Sequence, residues 1–470
     1  DKFRLHADSS FAYTNRNIRL KWRHEFSDKF YNVLSAGYDG FNYSVTGRSN
    51  PRDAFDLRFG IGQLSARSDF KFTPNNLHEV SFGLQHIAYD LRPGEQLPYD
   101  NASLIKAKII PREKATETAV YIGDQFKISE VFSLQGGVRY AYFRNIGPKV
   151  GYLYANGLPR SDFTVTDSIK YGSGQLIKAY QAPEWRFSLR ILASPRTSFK
   201  ISYNTLQQFI HVITNTTAIS PTDIWKLSDN YIKPQQGQQL SVGFYAQPGK
   251  KSIEFSVEVY YKTLRHYLDY KSGAKLVLNQ TLERDVINTN GKAYGVEFFV
   301  KKPVGKLNGW LSYTYLRSFL KQDDALAGEV INKNEFYPAN FDKPHIANLV
   351  LNYKFTQRYS LSVSSTYSTG RPITVPVGVF NMGGAQRVYY SDRNAYRIPD
   401  FFRTDMSLNI ENGHRLKQKV HSSWTLGVYN IAGRDNPYSV YFTLEDGKIK
   451  GYQLSVFATA IPFLSFNLKF

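Results

Sequence analysis

The last residues of the chain, 451–470, read GYQLSVFATAIPFLSFNLKF. Apolar side chains stand at every second position up to Phe470, while Ser465, Asn467 and Lys469 lie between them. A period of two residues places the two sets on opposite faces of a β-strand. A strand of a soluble β-sandwich shows the same alternation, so the fold depends on how often the pattern recurs.

The alternation recurs along most of the chain. In residues 252–261, Val257 and Val259 alternate with Glu254 and Glu258. Other clear examples are residues 132–142, 348–355, 360–367 and 405–411. No stretch shows a 3.6-residue period of comparable strength, so the sequence predicts an all-β protein.

The connections between these segments fall into two length classes. Short polar turns, such as 27–29 and 73–76, alternate with much longer connections. The long connections are residues 91–116, 145–183, 213–235, 266–291, 320–344 and 371–401. This segregation is typical of an antiparallel transmembrane barrel, whose short turns are periplasmic and whose long loops are outside. We therefore expect all the long loops on one rim, where they would carry ligand selectivity.

The two faces of each strand predict what surrounds the barrel wall. Phe466 and Leu468 should face lipid, and Glu258 should face the lumen together with Glu254. Because a small, filled barrel has no room for such carboxylates, the lumen is predicted to be wide and hydrated, or filled by polar protein.

The composition agrees with a cell-envelope barrel. The 470 residues include no cysteine, which excludes thiolate metal sites and disulfides, and they include 34 Tyr and 33 Phe, which suit membrane interfaces. No run of about 18 apolar residues predicts a transmembrane helix. The net charge is +20, but Lys and Arg are spread through strands and turns. We therefore expect contact with lipopolysaccharide or an anion-attracting lumen, and no nucleic acid as partner.

We count about 17 long strands from Asn17 onward, with residues 421–444 assigned to one strand. A sheet of this size with two bare edges is costly in lipid. We therefore expect residues 1–470 to form the C-terminal part of a larger barrel. The strand near Asn17 should then have no upstream partner other than residues 1–12.

A series of short motifs follows in order along the second half of the chain. They are WKLSD at 225–229 with IKPQ at 232–235, YGVE at 294–297, YPANFDKPH at 337–345, FRTD at 402–405, VYNI at 428–431 with NPY at 436–438, and IP at 461–462. Together they resemble the TonB-dependent receptors of the Bacteroidetes outer membrane. The terminal Phe470 resembles the closing and insertion signal of outer-membrane barrels.

The resemblance implies a 22-stranded barrel, an N-terminal plug domain, and import of a scarce nutrient with energy delivered by the TonB complex. The plug, the segment that contacts TonB and about five strands have no counterpart in residues 1–470. The implied partners are outer-membrane lipid, lipopolysaccharide and TonB through the plug region. A surface lipoprotein and other outer-membrane proteins stay open as further partners.

The sequence contains no catalytic constellation and no spaced histidine ligand set, so it predicts no enzyme, cofactor or metal centre. Asp323, Asp324 and Glu329 could bind calcium in a loop, but a solvated acidic loop is the simpler interpretation. Trp225 could stack on a ligand or hold its own loop in place.

The loop 371–401 is the best ligand candidate because it concentrates Arg and Tyr. Arg offers bidentate contacts to carboxylate or phosphate, and Tyr offers rigid amphipathic area. The residues concerned are Arg371, Arg387, Tyr389, Tyr390, Arg393 and Tyr396. Contact with lipopolysaccharide and plain loop packing are the alternatives.

Two classes of function remain open. The first is a nutrient importer of the TonB-dependent type, for an iron chelate (siderophore), cobalamin, oligosaccharide or peptide. The second is a barrel subunit of a larger outer-membrane assembly that does not transport. An outer-membrane barrel enzyme is a distant third.

Overall fold

A computed structural model describes residues 9–213, 223–249, 252–412, 420–445, 447–455 and 458–469. Within these ranges, nineteen strands form one antiparallel sheet, and two of them, β5 and β18, have only two residues each. Seventeen longer strands remain, which confirms the predicted fold class and agrees with the predicted strand count.

The first strands in chain order are β1 Ser9–Ser27, β2 Phe30–Gly47, β3 Phe55–Phe72, β4 His78–Pro98, β5 Lys108–Ile109, β6 Glu113–Lys127, β7 Phe132–Ile146, β8 Lys149–Tyr154, β9 Val165–Tyr171, β10 Leu176–Ser194, β11 Thr197–Gln208, β12 Ile210–Ile213, β13 Ile224–Leu227, β14 Gln235–Ala246 and β15 Glu254–Tyr270. The remaining strands are β16 Val286–Lys302, β17 Leu307–Gln322, β18 Tyr337–Pro338, β19 His345–Lys354, β20 Tyr359–Ser368, β21 Pro372–Ile373, β22 Pro376–Met382, β23 Ala385–Tyr390, β24 Tyr396–Arg397, β25 Phe401–Glu411, β26 His421–Tyr429, β27 Pro437–Glu445, β28 Lys448–Ser455 and β29 Ile461–Lys469.

The helical content of the described chain is confined to single 3-10 turns. These are Pro51–Asp53, Asp162–Thr164, Leu282–Arg284 and Ile331–Asn334. No helix among the described residues has the length and apolar character of a membrane-spanning helix.

Each long strand pairs antiparallel with the next long strand along the chain, from β1 to β29. Short turns therefore gather at one rim and all six predicted long connections at the other. The strands extend further than expected at this upper rim. For example, β4 continues to Pro98 and β15 to Tyr270, so the loops 91–116 and 266–291 are shorter than predicted.

The assignment of residues 421–444 to one strand is wrong. β26 ends at Tyr429 because Asn430 adopts a left-handed backbone conformation, with φ of 51°. β27 and β28 then form a separate hairpin, and β29 alone returns to the large sheet. Residues 451–470 are therefore parts of two strands rather than one, and Phe470 lies outside the described residues.

The outward face of the sheet is apolar, as predicted. In β29, Leu464 and Phe466 are 64% and 50% exposed, and they pair with the outward Leu426 and Trp424 of β26. On β15, Val259 is 51% exposed and lies on this same outward face. A band of large exposed apolar side chains is typical of the lipid-facing wall of a membrane barrel.

The opposite face is the inner face, because loops from the long-loop rim fold onto it. The hairpin β12–β13 packs on β4 and β6 over fully buried small residues such as Ala141 and Ala182. Glu258 also lies on this inner face, where it stands opposite Glu297 of the neighbouring strand. Its carboxylate accepts a hydrogen bond from the Tyr245 hydroxyl at 2.7 Å. The predicted inward direction of Glu258 is thus confirmed.

The inner face also carries a belt of uncharged polar side chains that bond to one another across neighbouring strands. Thr425 donates to Asn409 at 2.8 Å, and Ser362 donates to Asn352 at 2.7 Å. Asn409 links the two pairs by donating to Ser362 at 3.2 Å. Because these polar side chains satisfy one another's hydrogen bonds, they do not require other side chains packed against them, which suits a wide lumen.

The two ends of the sheet remain unpaired with each other. Within the described ranges, β1 pairs with β2 alone and β29 with β26 alone. This agrees with the expectation that the strand near Asn17 does not close a ring with the last strand.

Candidate functional site

The long-loop rim is held together by Asp269, at the upper end of β15. The Arg393 guanidinium donates to the Asp269 carboxylate at 2.7 Å and to the Tyr270 carbonyl at 2.6 Å. The buried Tyr337 hydroxyl donates to the other oxygen of Asp269. One carboxylate therefore joins the loops 320–344 and 371–401.

A second buried carboxylate repeats this arrangement nearby. Asp342 is fully buried and accepts a hydrogen bond from the Ser318 backbone NH at 2.6 Å. It also forms an ion pair with Arg397, which donates in addition to the Gly370 carbonyl at 2.9 Å. Tyr337 and Asp342 both belong to the motif YPANFDKPH, so this motif fastens the rim loops.

These contacts divide the candidate residues of the loop 371–401. Arg393 is occupied within the protein, and its planar head lies 4.5 Å from the ring centre of Tyr270. Arg371 is half-buried, and its carbonyl accepts a hydrogen bond from the Ile398 NH at 3.0 Å. Burial and the positive charge of Arg371 lower the pKa of Lys343.

Tyr396 is exposed on β24, and the other three candidates, Arg387, Tyr389 and Tyr390, lie on the hairpin β22–β23, which projects from the rim. Cross-strand pairing places Arg387 opposite Phe380, and Tyr389 follows on the same face. All three side chains are exposed, and Arg387 forms no ion pair with any residue of the described ranges. Tyr390 is exposed on the opposite face of this hairpin. The structure thus brings Arg387 and Tyr389 together and keeps Arg393 apart from them.

A second projecting hairpin, β27–β28, lies beside β22 and was missed by the sequence reasoning. Its signal is the Asp-Gly pair that stands in the sequence between two alternating runs. Glu445 accepts hydrogen bonds from Lys450 at 2.7 Å and from Tyr452 at 2.9 Å. The bonds from Lys450, Thr443 and Tyr452 lower the pKa of Glu445 to about 2.

Trp225 lies on β13, in the hairpin that packs against the inner face. Its ring is half-buried against a cluster of buried apolar residues that includes Leu91 and Phe143. It also borders a cavity of about 30 Å³, which is room for roughly one water molecule. This position favours the interpretation that Trp225 holds its own hairpin in place.

A buried group of four charges fastens the same hairpin. The Lys226 ammonium forms ion pairs with the carboxylates of Glu113, on β6, and Asp229, and it lies 2.7 Å from the Asp229 carboxylate. The Lys149 ammonium lies 2.9 Å from the same carboxylate of Asp229. Burial opposes ionisation of Asp229, but the two lysines hold its pKa far below the ordinary value. The motif WKLSD supplies Lys226 and Asp229, so it also serves as a fastening.

The suggested calcium ligands do not converge. Asp324 pairs with Arg160 at 3.5 Å, Asp323 accepts from Asn290, and Glu329 accepts from the Ser272 backbone NH. Within the part of the chain that the structure describes, no cluster of metal-binding side chains occurs.

Comparison with known proteins gives one family match. A family model described as "TonB dependent receptor-like, beta-barrel" matches residues 2–431. No curated protein sequence matches the chain.

Solved structures share the fold at low identity. The closed form of the ferric-catecholate import receptor Fiu from E. coli K12 has 12% identity and a TM-score of 0.60, over 98% of this chain and 64% of that one. BauA, the ferric preacinetobactin receptor from Acinetobacter baumannii, has 13% identity and a TM-score of 0.61, over 97% and 63%. The ferripyoverdine receptor of Pseudomonas aeruginosa has 12% identity and a TM-score of 0.58, over 97% and 56%. The chain therefore spans less than two thirds of the length of these proteins.

Proposed function

The chain belongs to the TonB dependent receptor-like β-barrel family, and from that premise we propose that it is the barrel of an outer-membrane importer. Homologues in this family are outer-membrane proteins of Gram-negative bacteria and are receptors or transporters rather than enzymes. The proposed cargo is a scarce nutrient taken up with energy from the TonB complex. A Bacteroidetes origin, a 22-stranded barrel and an upstream plug that contacts TonB stay predictions.

The observation that carries this proposal is the exposed guanidinium of Arg387, which has no ion-pair partner among the described residues. It stands on a projecting hairpin beside exposed Tyr389 and Phe380, whereas Arg393 and Arg397 are held by buried carboxylates. An exposed cation beside aromatic faces suits a ligand that carries both negative charge and flat apolar area. The loops beneath are fastened, so the hairpin is presented on a fixed base.

A ferric chelate is the ligand class we propose first. Several similar structures are named as receptors for ferric chelates, including ferric catecholate and ferripyoverdine. Such ligands combine negative charge with aromatic or other flat groups, which Arg387 and Tyr389 can contact.

The test is a binding and uptake assay on the full-length protein carrying Arg387→Ala with Tyr389→Ala. A ferric catecholate, ferric citrate, cobalamin and an oligosaccharide serve as probes. Loss of one charge-assisted hydrogen bond and one aromatic contact should weaken binding of the preferred probe by about tenfold to a hundredfold. Arg358→Ala, an exposed arginine at the opposite rim, is the matched control. Unchanged affinity and uptake with normal insertion would remove β22–β23 from the site.

The second candidate function is a non-transporting barrel subunit of a larger outer-membrane assembly. The exposed apolar side chains Met382 and Tyr441 on the two projecting hairpins favour it, because such surfaces suit a protein partner. A stable stoichiometric complex with other outer-membrane proteins, without uptake of any probe, would decide for this function.

A further inference from the structure

The outward surface of β15, β16 and β17 carries lysine and arginine only near its lower and upper ends, and most of these residues stand near the upper end. Along β16 the outward positions run from Lys302 near the short-turn rim through Val300, Phe298, Val296 and Tyr294 to Lys292. The ten-position separation of the two lysines corresponds to a height of about 25 Å in a strand tilted by about 40°. This is the height of the apolar band of a membrane barrel. Lys292 therefore stands at the upper edge of that band.

The neighbouring strands carry cations near this edge as well. Arg317 of β17 pairs with Tyr294, one outward position below Lys292, and Lys321 lies two outward positions above Arg317. On β15, Thr263 pairs with Lys292, and the exposed Arg265 is the next outward position above Thr263. By contrast, the outward positions of β25, β26 and β29 carry no lysine or arginine.

The ammonium groups of Lys292 and Lys321 share one aromatic ring. The Phe336 ring, which is 45% exposed, has its centre 4.0 Å from Nζ of Lys292 and 5.9 Å from Nζ of Lys321. Neither lysine forms an ion pair with a residue of the described ranges, and the nearby carboxylate of Asp323 accepts a hydrogen bond from Asn290. Two cations are thus held close together, and neither has an ion-pair partner in the part of the chain that the structure describes.

We propose that Lys292 and Lys321, with Phe336 between them, bind the phosphate groups of a lipid of the outer leaflet. The lipid acyl chains would lie on the apolar band below, and the phosphates would meet the two ammonium groups at its upper edge. Each lysine near an anionic membrane surface strengthens binding by about fivefold. This inference rests on the outer-membrane placement proposed above.

The experiment compares lipid A with dephosphorylated lipid A, which has the same acyl chains without the phosphates. Binding of each to the purified full-length protein in zwitterionic detergent is titrated by native mass spectrometry. The unmodified protein should bind lipid A at least about tenfold more tightly than the dephosphorylated form. In Lys292→Gln with Lys321→Gln this preference should disappear, while Lys292→Arg with Lys321→Arg should keep it.

The matched control is Lys262→Gln. Lys262 pairs with Ala293, so it lies at the height of Lys292 but on the inner face. Its substitution should leave the preference for phosphate unchanged. Equal binding of both lipids by the unmodified protein, or an equal loss in the Lys262 variant, overturns the site. Failure to bind either lipid would instead contradict the proposed membrane placement.

Discussion

Nη1 of Arg393 lies 2.7 Å from Oδ1 of Asp269, although 124 positions separate the two residues along the chain. Both side chains are buried, and the contact holds the loop 371–401 against the end of β15. Arg387, six positions earlier in the same loop, is exposed. Two arginines of one loop therefore have different tasks, one in fastening the loop and one in facing the exterior.

Arg393→Ala should release the loop 371–401 from the rim. The substitution leaves the Asp269 carboxylate buried without its counter-charge, which costs about 3–5 kcal/mol. Limited proteolysis of the full-length protein should then cleave this loop much faster. Arg387→Ala removes the same side chain from an exposed position and should leave the cleavage rate unchanged. Equal cleavage rates in both variants would show that the ion pair does not fasten the loop.

Adjacent positions on β15 should differ sharply in their tolerance of charge. Val259→Lys places an ammonium group on the lipid face near mid-height, at a cost of about 2–4 kcal/mol. Glu258→Lys points inward, opposite Glu297, and should be tolerated because it meets an opposite charge. Folding into lipid bilayers followed by urea titration measures both. If Glu258→Lys were destabilised and Val259→Lys were not, the face assigned to lipid would instead be the inner face.

Docking of the hairpin β12–β13 should weaken as the pH falls. Burial first, and then the charge of Lys226, lower the pKa of His211 from 6.5 to about 4. A displaced hairpin would take up a proton near pH 6.5 and the docked hairpin only near pH 4. The free energy of docking therefore has its full value above pH 6.5. It falls by up to about 3 kcal/mol as the pH decreases from 6.5 to 4.

The fluorescence of Trp225 on the same hairpin reports this docking, in a variant whose other tryptophans are replaced by Phe. Its emission should shift to longer wavelength as the pH falls from 6.5 to 4. His211→Asn removes the titrating group and keeps a polar partner for Ser228, which lies 3.0 Å from His211. The shift should vanish in that variant. A shift that persists there would assign the pH response to other groups.

Much of the architecture was readable from the sequence because it depends on local geometry. The alternation of Val257, Glu258 and Val259 predicts which side chains face lipid, since successive residues of a strand point to opposite faces. The alternation of short and long connections likewise predicts one rim of loops. The hairpin β27–β28 was missed because its strands alternate as the barrel strands do, and the sequence distinguishes them only by the Asp-Gly pair between them.

The partners of the charged residues could not be read in this way. The sequence motifs contain Lys226, Tyr337 and Asp342 but do not reveal that they fasten loops, because Lys226 meets Glu113 from a strand 113 positions away. A strand pattern fixes the face on which a residue lies, and this follows from the backbone alone. Whether a cation is neutralised depends on which distant carboxylate the folded chain brings within about 4 Å. For that reason the sequence by itself determined the barrel wall and its two faces. Only the tertiary structure separated Arg393, which pairs with Asp269, from the exposed Arg387, which pairs with no carboxylate of the described ranges.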